Sequence, residues 1–364
     1  MKLRDLCAIL FFTLCVASLA WAQSPGTNNA ITDVPGIEVG QYTGTQYLTS
    51  TGGSTGTTVI LARDGAVGGV SQRGGSPGTR ETDLLSPMNL VEVVNAVVLS
   101  GGSAYGLAAA DGVMKCLEDQ GLGYSVGGGH VVPIVPSAIL FDPGRCEPFD
   151  YRPDFNFGLN ACLAAKGGKV DQGNVGAGAG ARSGGIKGGL GTASVVLSDG
   201  IIVGAIVAVN SSGKTFDANG NLFAGFLEMN NEFHGPLASP SAVEPVAEVD
   251  PGLLRNTTIA VVATNATLTK SEALKVAQMA DDGFARAIKI SHGTGDGDTV
   301  FALGTGKVAG NVTLNNKLNS IGGAAADALS RAIVHAILAA KAIHVTGCEV
   351  LNYCEKYPAK CVAP

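Results

Sequence analysis

An Asp-Gly pair, Asp199-Gly200, stands between two apolar runs, Ser194 to Leu197 and Ile201 to Asn210. A two-residue hairpin turn takes positive φ at its central residues, which Asp-Gly tolerates. The runs are therefore expected as adjacent antiparallel strands. Other β-rich runs are Thr57 to Ala62, Val91 to Leu99, Thr258 to Thr264 and Thr299 to Leu303. Ile31 to Gly40 reads as short strand-like pieces broken at Pro35-Gly36. Between the runs lie helical patterns. Ala104 to Leu117 is rich in small residues, and Thr269 with Glu272 forms a capping box. That box opens a helix to about Ile288, with Ala273, Val276, Ala277, Ala280 and Phe284 on one face. A long apolar helix begins near Leu318. It holds Asp327, Arg331 and His335, so it reads as a buried helix rather than a membrane span. Mixed strands and helices with a hairpin argue an α+β fold in layers. Residues 231–255 carry four prolines and little periodicity, which reads as a loop. With no internal repeat, 23–364 is one domain.

Composition narrows the function classes. Hydrophobic residues are 46% and charged residues 15%, which excludes intrinsic disorder. Glycine, 52 of 364 residues, lacks the G-X-Y period of collagen and points to tight turns and close backbone approaches. A net charge of −6 gives no basic footprint for nucleic acid.

Residues 1–22 read as a secretory signal peptide. Lys2 and Arg4 precede the apolar run Ala8 to Ala20, and Ala20-Trp21-Ala22 is a cleavage site. Export to the periplasm or medium follows, with no membrane attachment after cleavage. Six cysteines remain: Cys116, Cys146, Cys162, Cys348, Cys354 and Cys361. An even count in an exported chain points to disulfides. Three cluster at the C-terminus, so at least one pairs elsewhere or stays free. No histidine or cysteine spacing matches a metal site, and no cofactor is implied.

Several motifs resemble chemistry without its context. Gly52 to Gly56 and Gly74 to Gly78 match G-x-S-x-G, but neither lies between a strand and a helix as a nucleophile elbow requires. Gly101 to Gly106 follows a strand and opens a helix. It could hold an anion or contact substrate, or simply form a tight turn. His335 lies in the apolar helix and is expected to be packed.

Asn256-Thr257 is different. A proline-bearing loop ends at a hydroxyl residue that begins a strand. That layout suits a self-cleaving N-terminal-nucleophile hydrolase. The Thr257 hydroxyl would attack the Asn256 carbonyl, and an N-to-O acyl shift followed by hydrolysis would free Thr257 as a new N-terminus. Such an amine has a reference pKa near 7.7–8.0 and can serve as general base. The bland readings are a plain strand start, or a glycosylation sequon at Asn256.

Taken in order, several stretches resemble one family. They are Ile31 to Gly40, Gly78 to Leu85, Leu99 to Leu107, Gly176 to Ala181, Asn256 to Thr258 and Asp296 to Thr299. The chain resembles the DmpA-type self-cleaving aminopeptidases, also called L-aminopeptidase/D-esterases and β-peptidyl aminopeptidases, with the nylon-oligomer endo-amidase as a relative. The resemblance covers about Ile31 to Ala342. It implies a four-layer α/β/β/α sandwich of the type shared with ornithine acetyltransferase, and self-cleavage into 23–256 and 257–364. It also implies amide or ester hydrolysis by a cofactor-free homo-oligomer.

The same resemblance assigns Thr257 as nucleophile, Asn210 as oxyanion donor, Lys187 as a charge near the nucleophile, and Asp296 with Asp298 as orienting acids. Each has a plainer reading: a strand-end turn for Asn210, a solvated loop lysine for Lys187, an Asp-Gly turn for the acids. Phe141 stands where some relatives carry an active-site tyrosine, and its ring cannot donate a hydrogen bond. The expected function is an exported aminopeptidase of the serine/threonine type acting on peptides, amides or esters. An endo-amidase or another acyl-transfer enzyme of the fold is the alternative, ahead of a non-catalytic binding protein.

Overall fold

A computed structural model describes residues 23–47, 54–198, 200–234, 256–308 and 317–361. The expected signal peptide, Asp199 of the turn and most of the proline-bearing loop lie outside the described residues. Nine strands form one continuous sheet. In chain order they are β1 (Glu38–Gly44), β2 (Thr55–Gln72), β3 (Thr79–Arg80), β4 (Val93–Ser100), β5 (Ser137–Ile139), β6 (Gly189–Val196), β7 (Ile202–Asn210), β8 (Thr257–Thr264) and β9 (Thr299–Gly304). Their spatial order is β6-β7-β8-β9-β2-β4-β5-β3, with β1 also paired to β2. β2 is the seam. Its first half pairs with β1 and β4, its second half with β9, and its register with β4 shifts between Leu61 and Ala66. Such a bulge bends a strand, so one long strand serves two facing half-sheets.

Side-chain alternation then sorts residues into layers. Val59, Leu61, Ala96 and Val98 pack with Val113, Leu117 and Ala161 of helices α1 (Ala109–Glu118) and α2 (Phe155–Leu163). Their sequence neighbours Ile60, Val97 and Leu99 enter a second cluster with Ile206, Ile259, Val261 and Phe301, the contact between half-sheets. On the far side Val207, Val262 and Val300 pack with Val276, Phe284 and Leu329 of α3 (Lys270–Ala280), α4 (Asp282–Ala287) and α5 (Leu318–Ala339). The result is the four-layer α/β/β/α sandwich. Each fully buried Val, Leu, Ile or Phe contributes roughly 1.5–3 kcal/mol.

The expected hairpin is present, with Val196 paired to Ile202 and Gly189 to Val209. β6 begins at Gly189, before its apolar run. Its early residues are small because α5 lies directly on them, and a Cβ at Gly191 would sit 2.0 Å from the Ala332 carbonyl. Ile31–Asp33 is a 3-10 turn instead of a strand. Its cause is the Asp33 carboxylate, which accepts from the amides of Asn28 and Ala30. The capping box at Thr269 forms, but the helix it opens breaks at Asp281. There a buried carboxylate accepts from Ser71 Oγ at 2.7 Å and pairs with Arg73. Ala104 to Leu117 likewise starts as a 3-10 turn, Ser103–Ala108, before α1.

The six cysteines form Cys116–Cys162, Cys146–Cys348 and Cys354–Cys361. His335 is packed, its ring on Phe233 and its Nδ1 at the Thr192 carbonyl.

Candidate active site

Thr257 is the first residue of β8, a strand flanked on both sides. It stands opposite Asn210, the last residue of β7, and Asn256 bridges to Asp296 just before β9. Three strand ends therefore meet at one point. Thr257, Asn210, Asp296 and Asp298 are all nearly inaccessible to solvent. Buried polar groups need partners, and each of these takes its own from the backbone and side chains around it.

The Thr257 hydroxyl donates to the carbonyl of Asn256 and accepts the Gly297 amide at 3.1 Å. Position 297 must be glycine, since a Cβ there would meet the Ser76 carbonyl at 2.6 Å and Thr257 Oγ1 at 3.0 Å. Asp298 accepts from the Thr258 amide at 2.8 Å and from the His292 amide at 2.8 Å. The His292 ring stands between Asp298 and Asp281, with Nδ1 3.2 Å from the former. Burial opposes its protonated form, but the two aspartates outweigh burial and raise its pKa. Asp296 turns the other way and accepts from Ser212 Oγ at 3.0 Å. Burial first, and the Asp298 charge second, push its pKa up to about 6. The two acids thus take separate hydrogen-bond partners.

Asn210 uses both ends of its amide. Its Oδ1 accepts from the Arg182 amide at 2.9 Å and from the Arg145 guanidinium, and its Nδ2 donates to the Phe141 carbonyl at 3.2 Å. Phe141 is thus at the site through its backbone. Arg145 reaches on to Asn256 Oδ1 at 2.8 Å, and Asn256 Nδ2 donates to Ser212 Oγ at 3.1 Å. Burial lowers the Arg145 pKa to about 10, so it stays cationic at neutral pH.

Lys187 is not a solvated lysine. It is fully buried, and its ammonium donates to the carbonyls of Gly178, Ala181 and Gly188. Burial, reinforced by Arg145 and Arg182, lowers its pKa to about 7. It fixes Ala181, whose neighbour Arg182 supplies the amide to Asn210.

Sequence reasoning passed over Arg145, Ser212 and His292. Ser212 had one usable signal, its position two residues beyond Asn210. Gly74 to Gly78 proves to be scaffold: Arg73 and Ser76 donate their amides to the carbonyls of Asp298 and Asp296. Gly101 to Gly106 is a tight turn whose Gly102 amide is taken by the buried Asp142 carboxylate.

The chain as a whole has relatives among known proteins. The model for peptidase family S58 matches residues 29–350. An uncharacterized aminopeptidase of Mycobacterium leprae is 45% identical over 349 residues, covering 91% of this chain and 94% of the relative. A 6-aminohexanoate-oligomer endohydrolase of Agromyces is 30% identical over 302 residues, covering 80% and 79%. The solved L-aminopeptidase D-Ala-esterase/amidase of Ochrobactrum anthropi, described as a variant of the Ntn hydrolase fold, superimposes with a TM-score of 0.66. It is 21% identical, covering 93% of this chain and 96% of that one.

Proposed function

The chain belongs to peptidase family S58 and is a peptide-bond hydrolase, and we propose that it is an exported, self-processing N-terminal-nucleophile aminopeptidase. The observation that carries this reading is the Thr257 hydroxyl lying against the carbonyl of Asn256, with Gly297 donating to it. In the intact chain the hydroxyl oxygen attacks that carbonyl carbon. The acyl group of Asn256 passes from the Thr257 nitrogen to its oxygen, which frees the amine, and water then hydrolyses the ester, releasing Asn256 as a carboxylate and regenerating the Thr257 hydroxyl. The same hydroxyl next attacks the acyl carbonyl of a substrate. The α-amine takes the proton and returns it to the leaving amine, and water clears the acyl-enzyme.

Asn210 supplies electrophilic help. A positioned amide donor facing a developing oxyanion is worth about 3–4 kcal/mol, and Arg145 with the Arg182 amide fixes its plane. Asp298 holds the start of β8 through Thr258, Asp296 sets Ser212, and Lys187 braces the segment behind Asn210. β8 and β9 lie between β7 and β2, which supports two chains remaining together after cleavage. Three disulfides support export to an oxidising compartment. Aminopeptidase is preferred over endo-amidase because the relative so named is both more similar and more completely covered.

Thr257→Ala should abolish both processing and turnover of aminoacyl amides, while Thr257→Ser keeps part of each. An alanine variant with unchanged activity would remove Thr257 from the mechanism.

A further inference from the structure

The residue whose carbonyl faces Thr257 is the acyl donor of the self-cleavage, and its side chain is gripped at both ends. Asn256 Oδ1 accepts from Arg145 Nη2 at 2.8 Å, and Nδ2 donates to Ser212 Oγ at 3.1 Å. Ser212 spends its own proton on Asp296 Oδ1, so it offers the ligand a lone pair. The pair is therefore polarised: a donor on one side, an acceptor on the other. A carboxamide satisfies both. A carboxylate satisfies Arg145 but sets a second anionic oxygen against the Ser212 lone pair, close to Asp296. An aliphatic side chain satisfies neither and leaves a largely buried guanidinium without that partner, which is costly.

We propose that Arg145 and Ser212 form the acyl-side subsite of the mature enzyme and select substrates whose N-terminal residue bears a carboxamide, asparagine above all. The inference rests on the self-processing reading, in which cis and trans acyl donors share one position relative to Thr257. A site built to hydrogen-bond a polar group discriminates strongly against analogues lacking it. Arg145 thus has two tasks, holding Asn210 and reading the acyl side chain.

The test compares kcat/KM of the processed two-chain enzyme on the p-nitroanilides of L-asparagine, L-aspartate and L-leucine. Asparagine should exceed both others by at least about tenfold. Ser212→Ala, which leaves Arg145 in place, should shrink the Asn-to-Asp ratio more than the Asn-to-Leu ratio. In cis, Asn256→Leu should slow self-cleavage by a similar factor. Leucine and asparagine anilides turned over within threefold of each other, by an enzyme that Thr257→Ala inactivates, would overturn the subsite and leave the mechanism standing. A two-chain protein inactive on every aminoacyl anilide would overturn the aminopeptidase reading and the subsite with it.

Discussion

Cys146 precedes the proposed cut and Cys348 follows it, whereas each of the other two disulfides lies wholly on one side. Processing at Asn256 would therefore turn an internal cross-link into a covalent bond between two chains. In the intact chain the bond spans 202 residues, and closing a loop that long in the unfolded state is worth about 5 kcal/mol on the chain-entropy model. The separation of 46 for Cys116–Cys162 gives about 4 on the same model. After cleavage the benefit changes form. A tether with an effective concentration of about 1 mM, set against micromolar protein, favours association by roughly 1,000-fold, or about 4 kcal/mol. The assay is a denaturing gel of the mature protein, run with and without reductant. Without reductant a single band of full mature mass should appear, and with it two. Cys348→Ser should give two bands in both lanes. Two separate bands from the unreduced wild type would refute the bridge.

The remaining predictions concern charge. Because burial and then Asp298 raise the Asp296 pKa to about 6, the folded state prefers this carboxyl protonated. That stabilising contribution is full below the ordinary carboxylate range and lost as pH rises through about 6, so the urea midpoint should fall over that window and flatten in Asp296→Asn. Activity should run the opposite way. Log kcat/KM should fall with slope one as pH drops and the Thr257 amine protonates, and a profile flat through that range would remove the amine as the base. Asp298→Asn exchanges an acceptor for a donor opposite the Thr258 or His292 amide, so it should cost about 2–3 kcal/mol by denaturant titration. A loss under about 0.5 kcal/mol would show that Asp298 does not hold β8. Finally, a mechanism drawing its base from the Thr257 amine and its electrophile from Asn210 should survive prolonged chelation. Inactivation reversed by added zinc or calcium would make Asp296 and Asp298 ligands.

Local chemistry made much of this legible. A hydroxyl residue opening a strand after a proline-bearing loop marks Thr257, and Asp-Gly with alternating apolar residues marks the β6–β7 hairpin. Asn210 and Asp296 were placed by resemblance, and strand register explains why they belong, since β7 ends and β9 begins beside the start of β8. Arg145 left no local trace. It meets Asn256 across 111 residues of sequence, from a loop without periodicity, and only the folded sheet brings the two together. The environment of Lys187 was equally hidden, because three backbone carbonyls that accept from a buried ammonium carry no side-chain signature. The break at Asp281 escaped notice for a related reason: the helical pattern continues through it, while its cause, Ser71, lies on β2.

The most direct measurement is the N-terminal sequence and intact mass of the smaller chain from reduced, active protein. It should begin Thr-Thr-Ile-Ala-Val and account for residues 257–364, with Thr257→Ala remaining one chain. Full activity in a protein that stays uncut between Asn256 and Thr257 would contradict it.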